Sequence, residues 1–372
     1  MSRFRRILLN WYRSESSVKR FFSRLIYPSY IMFYTFFLTN LKDTKIRSKE
    51  MKKLGMIKHS TLVCLDMLFW YLFFGYFPST YATYQFYRIS FFKRLTFMST
   101  LEHGLFARSF NINGNVGILT NKNLTYEYLK ELFGREQIII QHESDFPLFK
   151  AFVEKHHKFF YKPLVGTWGK GAGLSSIEHI DITEFFHNLI QSGSYVIEEL
   201  IVQCKELSSL HPSSVNTIRV VTLKTQNGVE ILFGALRCGR GGGIVDNGAS
   251  GGIFIPFSIT TGRLLKQGFD EKGRRFEKHP DTHIKFEGFQ IPRYEDVCSL
   301  AIHAAEKLKG LNYIGWDIAI SNDKVMLVEG NNWPTLLILE TLHETGFKKE
   351  LREIARTGSV PESFKIKRKE IY

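Results

Sequence analysis

The stretch GWDIAISNDKVMLVEGNNWP, residues 315–334, constrains this chain more than any other. Two apolar runs of buried-strand type flank a short polar turn, and each run is interrupted: Asp317 in the first, Glu329 and Asn331 in the second. Side chains alternate between the faces of a strand, so Glu329 and Asn331 share one face. Asp317 joins them only if the connection has an odd number of residues or a bulge, because one step of register moves every side chain to the other side. Asn322 and Asp323 tolerate the positive φ that such a turn wants. Two carboxylates and an amide are oxygen-only ligands that suit Mg2+ held jointly with nucleotide phosphates. The plainer reading is two solvent-facing acids and a turn asparagine.

A second stretch, FYKPLVGTWGKGAGLSS at 160–176, ends an apolar run in Lys162 and Pro163 and then places glycines at 166, 169, 171 and 173. Gly166 and Gly171 have the separation of a Walker loop, but Ala172 and Gly173 stand where its lysine and hydroxyl belong. A dinucleotide fingerprint needs a small residue at 174, where this chain has Leu174. No HRD or DFG string supports a protein kinase. A glycine flap that follows a lysine-bearing strand is what remains.

At 372 residues the chain is long enough for two or three cored domains. Its +14 charge is concentrated in the first sixty residues, interleaved with aromatics as in FFSRLIYPSYIMFYTFF. Such a region suits an anionic membrane surface or acidic polymer, or simply a solvated helix face; nucleic acid is not favoured. Cys64, Cys204, Cys238 and Cys298 are too scattered for a zinc site or a disulfide framework, which fits a reducing cytoplasm. No cleavable leader is read. Residues 62–77 are short for a membrane span and contain Asp66, so they predict a buried or interfacial helix.

Texture divides the chain into a separate helical region at 1–110, mixed helices and strands at 111–200 carrying the flap, a strand-rich part at 201–350, and a basic tail at 351–372 ending in KIKRKEIY, expected to fray. A helix is predicted from about Leu124 to Gly134, strands at QIIIQ, FFYKPLV and SYVIEELI, and a hairpin TIRVVTLKT/EILFGALRCG across an Asn-Gly turn. Arg219 and Arg237 lie inside those apolar strands, where a guanidinium requires an anionic partner.

The order and spacing of Lys162 before GTWGKGAGL, then VIEEL, NTIRV, ALRCG, VDNGASGG, GWDIAI and VEGN resemble the ATP-grasp superfamily, above all its sugar-transfer-associated branch. The resemblance implies an α+β fold in which two subdomains clamp ATP, a carboxylate is activated as an acyl phosphate, and an amine or similar nucleophile attacks it. Carried over by position, Lys122 and Lys162 reach the ATP phosphates, glycines 166, 169, 171 and 173 cover them, Glu198 and Glu199 form the adenine hinge, and Glu206 faces the ribose. Arg219 and Arg237 act with Lys162 on the γ-phosphate and acyl phosphate. Asn216, Asp246 and Asn247 orient the acceptor or metal, and Asp317, Glu329 and Asn331 bind Mg2+. Many amino-acid ligases of this fold carry an arginine two residues before the first metal aspartate; here that position is Gly315, so Arg237 or Arg219 must replace it.

The function so implied is a cytoplasmic ATP- and Mg2+-dependent ligase, peripheral at the inner membrane face through its basic N-terminus. It joins a small carboxylate, such as an amino acid, to a sugar or polysaccharide-precursor acceptor in capsule or cell-surface synthesis. The alternatives are a phosphotransferase acting on a sugar hydroxyl and a non-catalytic membrane adaptor. His103 is a minor catalytic candidate.

Overall fold

The computed structural model describes residues 3–31, 37–165, 171–243, 251–343 and 345–371. Helices α1 (Arg3–Tyr12), α2 (Ser17–Ile31), α3 (Phe37–Lys53), α4 (Ser60–Phe74), α5 (Pro78–Thr83), α6 (Phe91–Arg94) and α7 (Thr100–Phe110) come first. Then follow α8 (Gly117–Thr120), α9 (Lys122–Phe133), β1 (Gln137–Ile140), α10 (Phe146–His156), β2 (Lys158–Pro163), β3 (Gly173–Ser176), α11 (Ile182–Ser192) and β4 (Tyr195–Glu199). The larger unit contains α12 (Lys205–Leu210), β5 (Thr217–Thr225), β6 (Gly228–Cys238), β7 (Ile253–Pro256), β8 (Gly268–Phe269), β9 (Arg275–Phe276), α13 (Tyr294–Lys307), β10 (Tyr313–Ile320) and β11 (Val325–Asn331). Helices α14 (Leu337–Glu340), α15 (Lys348–Thr357) and α16 (Glu362–Ile371) close the chain.

The strands form two sheets, one ordered β1-β4-β2-β3 and one ordered β11-β10-β5-β6-β7-β8-β9. All pairings are antiparallel. In the larger sheet β10 is buried at every position, as its unbroken apolar run requires. One face packs on α13 through Val297, Ala301 and Ala304 together with Ile218, Leu236 and Ile314.

The other face contradicts the expectation of a separate helical region. Leu8, Leu9, Tyr12 and Tyr27 share one apolar core with Val221, Leu223 and Phe233 of the sheet and with Leu351 and Phe364 of the C-terminal helices. A seven-stranded sheet has two apolar faces to cover, and the N-terminal helices cover one of them. The tail is likewise docked: Phe364 is buried, and Arg368 donates to the carbonyls of Ile231 and Leu232 at 2.7 and 2.9 Å.

Asn111, at the end of α7, ties this helical layer to the site-bearing hairpin. Its amide donates to the carbonyls of Tyr313 and Asn332 and accepts from the N–H groups of Asn312 and Tyr313. Helix α4 has Met67, Trp70 and Tyr71 buried but Leu62, Leu65, Phe69 and Phe73 exposed. Among the described residues no helix is long and apolar enough to cross a membrane.

Candidate functional site

The β10–β11 hairpin sets the site. Its connection, Ser321–Lys324, holds an even number of residues, but a bulge between Asp317 and Ile318 shifts the register, so Asp317 stands opposite Glu329 while Ile318 stands opposite Leu327. Of the two routes that bring Asp317 to the face of Glu329, the chain uses the bulge. Asn322 and Asp323 do not adopt the positive φ expected of them; Ser321 closes the turn by pairing with Lys324 instead. Asn331 donates to Glu329 Oε1 at 3.2 Å.

Asp317 is 1% exposed and sits between two guanidinium groups. Arg219, directly across on β5, holds it bidentately through Nε and Nη2, the second contact at 2.7 Å, and Arg237 donates to the same carboxylate from β6. Burial pushes the Asp317 carboxyl up, but the two arginines outweigh it and hold the pKa well below the ordinary carboxylate range. Glu329 moves the other way: burial raises its pKa, and the neighbouring Asp317 charge raises it further. Two carboxylates in contact share a proton unless a cation stands between them. With the Asn331 amide beside them, this is a hard-oxygen donor set that fits a divalent ion. Among the described residues no cluster of three His, Cys, Asp or Glu side chains exists to offer another metal site.

Gly315 stands where the strand has no room for a side chain. A Cβ there would lie 2.7 Å from Pro334 and 3.3 Å from Arg219 Cδ. The space in which a side chain at 315 would start is therefore filled chiefly by Pro334, with the stem of Arg219 close beside it.

The smaller sheet brings the lysines. Asn121 caps α9 by accepting from the N–H groups of Asn123 and Leu124, which puts Lys122 in the first helical turn. Lys122 donates to the Leu164 carbonyl at 3.4 Å. Burial lowers its pKa, Lys162 lowers it further, and Glu329 and Glu198 oppose both, so the amine senses the two lysine-bearing segments and the carboxylate of the larger sheet together.

Lys162 pairs with Glu198 Oε1 at 3.0 Å, diagonally across β2 and β4. Arg135, which the sequence reading missed, donates to the same oxygen at 2.9 Å and to the Leu327 carbonyl of β11 at 2.6 Å. Burial raises the Glu198 pKa, but Arg135 and Lys162 more than offset it and leave it at about 2. Arg135 thus links the two sheets beside the cleft; it lies 63 residues from Glu198, and no local pattern announces the pair.

Several expected residues sit elsewhere. Glu198 is committed to Lys162 and Arg135, and Glu199 gives its N–H to the Glu136 carbonyl while its carboxylate accepts the Glu136 N–H. Asn216 is fully buried, and its amide nitrogen donates to Gln203 Oε1 and to the carbonyls of Leu207 and His211, bracing the 203–216 loop instead of facing a substrate. Glu206 is exposed on the first turn of α12. Gly171 has φ +75°, and Gly173 stands opposite Tyr161, whose ring fills the space a Cβ would take. Gly166, Gly169, Asp246 and Asn247 lie outside the described residues.

His103 is buried; Trp333 Nε1 donates to its Nδ1 at 2.9 Å, and burial, with help from Arg108, takes its pKa down to about 3. It is a neutral packing residue.

Two antiparallel sheets linked through Arg135, with helices around them, fit the ATP-grasp class, whose enzymes use ATP and Mg2+. The family described as sugar-transfer associated ATP-grasp matches residues 103–356, and the chain belongs to it. A comparison with curated proteins finds no match in sequence.

Among solved structures, the D-alanine–D-alanine ligase of Bacillus anthracis complexed with ATP is 14% identical, with a TM-score of 0.40, over 69% of either chain. An ADP complex of N5-carboxyaminoimidazole ribonucleotide synthetase is 12% identical over 66% of this chain and 53% of that one, with a TM-score of 0.41. The ATP-grasp ligase PsnB, complexed with a minimal precursor, Mg and ADP, is 14% identical with a TM-score of 0.38; the match covers 64% of this chain and 58% of PsnB.

Proposed function

We propose that this protein is an ATP-dependent ligase that activates a small carboxylic acid as an acyl phosphate and transfers the acyl group to an amine on a sugar or cell-surface polysaccharide precursor. The observation that carries the reading is the carboxylate pair Asp317–Glu329, aligned by a bulge, flanked by Arg219 and Arg237, and within electrostatic reach of Lys122, which in turn senses Lys162.

In this reading the substrate carboxylate attacks the γ-phosphorus, the β–γ bridging bond breaks, and ADP departs. The acceptor amine then attacks the acyl carbon, loses a proton, and inorganic phosphate leaves. Lys122 and Lys162 orient the phosphate chain as point charges, with Glu198 and Arg135 fixing the position of Lys162. Asp317, Glu329 and Asn331 would hold Mg2+, which would supply charge neutralisation at the nucleotide phosphates. Arg219 stands in for the arginine that Gly315 cannot supply, its guanidinium positioned by Asp317 to meet the charge that develops on the acyl phosphate. The family description, sugar-transfer associated, supports a sugar acceptor, and the basic, aromatic N-terminal helices support a peripheral place at the inner membrane face.

Replacing Glu329 with Gln keeps the size of the side chain and removes its charge. ADP release, measured with a panel of amino acids and aminosugars, should fall about 100-fold or more while the melting temperature stays within a few degrees. Undiminished ADP release would overturn the metal assignment. ADP release that needs no carboxylic acid would favour phosphotransfer.

A further inference from the structure

A cavity of about 830 Å3 lies away from the cleft, between the N- and C-terminal helices. Arg20 and Arg24 of α2, Lys348, Arg352 and Arg356 of α15, and Lys367 of α16 line it, against the carboxylates of Glu350 and Glu353. Glu102, buried below, holds Arg352 bidentately at 2.6 and 2.8 Å and draws Arg24 to 3.6 Å, where the buried Nε has no hydrogen-bond partner. Burial lowers the Lys348 pKa, and Arg352 and Arg24 press in the same direction while Glu102 and Glu340 oppose. Glu102, Glu350 and Glu15 pair with Arg352, Lys367 and Arg356 and fix these cations in place, yet the basic side chains of the wall outnumber its carboxylates, and the chemistry proposed at Asp317 and Glu329 uses none of them. Fixed guanidinium and ammonium groups converging on one open volume suit a phosphate or diphosphate.

Helix α2, which brings Arg20 and Arg24 to the cavity, also carries exposed apolar side chains. On α2, Val18, Phe21, Phe22 and Leu25 follow the i, i+3, i+4, i+7 spacing of one helix face, and that face points outward; Phe21 is 61% exposed. Leu95 and Thr96, also on the cavity wall, directly follow α6, where Phe92 is 80% exposed. From Phe92 a run of ring contacts passes through Phe91, Phe74 and Phe69 to Phe73, which is 72% exposed on α4. An outward aromatic surface beside a cationic recess is the pairing that an amphiphilic anion in a bilayer requires.

We propose that the cavity binds the phosphate head of an anionic membrane lipid while the outward faces of α2, α4 and α6 lie in the acyl boundary. This binding is independent of the ligase reading, because it needs neither ATP nor turnover.

The test is co-sedimentation of the full chain with vesicles of phosphatidylcholine alone and with added phosphatidic acid. The native protein should sediment with the anionic vesicles and remain largely in solution with the neutral ones. Lys349→Glu with Arg356→Glu, on the cavity wall, should weaken anionic-vesicle binding about tenfold or more. Phe21→Ser with Leu25→Ser should do the same without altering the melting temperature, since both side chains are exposed. Equal binding to both vesicle types, or no effect of the charge reversals, would overturn the proposal. An effect of the charge reversals with none from the Phe21 and Leu25 replacements would mean electrostatic adsorption to the anionic surface alone, and would overturn the placement of the helix faces in the acyl boundary.

Discussion

Asp317 accepts hydrogen bonds from two arginines while buried, and a bidentate guanidinium is not replaceable by an ammonium at such a place. Arg219→Lys keeps a positive charge but loses the fork. The reading predicts a fall in kcat of about 100-fold, near 3 kcal/mol, with KM for ATP little changed, because the loss is of transition-state contact. Steady-state ADP release at saturating ATP checks it, and a change confined to KM would contradict the role.

Glu198 makes a separate prediction through pH. Its folded pKa of about 2 lies below the ordinary 4.5, so its pairing with Arg135 and Lys162 stabilises the fold fully above pH 4.5 and loses that contribution as pH falls toward 2. The difference in unfolding free energy between the native chain and Glu198→Gln should therefore shrink by roughly 3 kcal/mol across that window. Denaturant titrations at several pH values measure it; a pH-independent difference would rule the linkage out.

At the scale of elements, the hairpin carries the site and Asn111 carries the hairpin. Asn111→Ala would leave four backbone groups of the 312–332 region without their partner, a cost of about 3 kcal/mol by the usual price of unmet buried hydrogen bonds. The variant should melt several degrees lower, whereas Asn111→Asp should retain the two acceptor contacts and fall between.

The hairpin itself was legible in the sequence because polar residues at 317, 329 and 331 break runs that otherwise read as buried strand, and period-two alternation turns such breaks into a face. Helix α9 was legible at its end, where Gly134 takes φ +60°, but its start lies at Lys122, before the expected Leu124, because Asn121 caps it. The bulge was not, since bulge and odd loop give the same alternation. Nor was the role of Asn216: a buried asparagine bracing a loop and one facing a substrate look identical until its partners at Gln203, Leu207 and His211 fold beside it.

Over the whole molecule, the chief surprise is that helices at the two ends of the chain meet on one face of the larger sheet. Basic, aromatic composition marked them as helical and surface-seeking, and part of that holds in the outward rows of α2 and α4. Composition does not reveal which other faces are covered: Tyr12, Tyr27 and Phe364 are buried in the same core as Val221 and Phe233, contacts between segments hundreds of residues apart. Individual strands, by contrast, were readable because each is a short local pattern, whereas their order within the sheets, β1-β4-β2-β3 and β11-β10-β5-β6-β7-β8-β9, departs from chain order and was not.

The central claim is that phosphate passes from ATP to a carboxylate oxygen and leaves with that oxygen. A carboxylic acid substrate labelled with 18O on both oxygens tests it directly, by mass analysis of the inorganic phosphate released during turnover with Mg2+ and an amine acceptor. One labelled oxygen in each phosphate is the predicted result. Unlabelled phosphate, or phosphate retained on the acceptor, would contradict it.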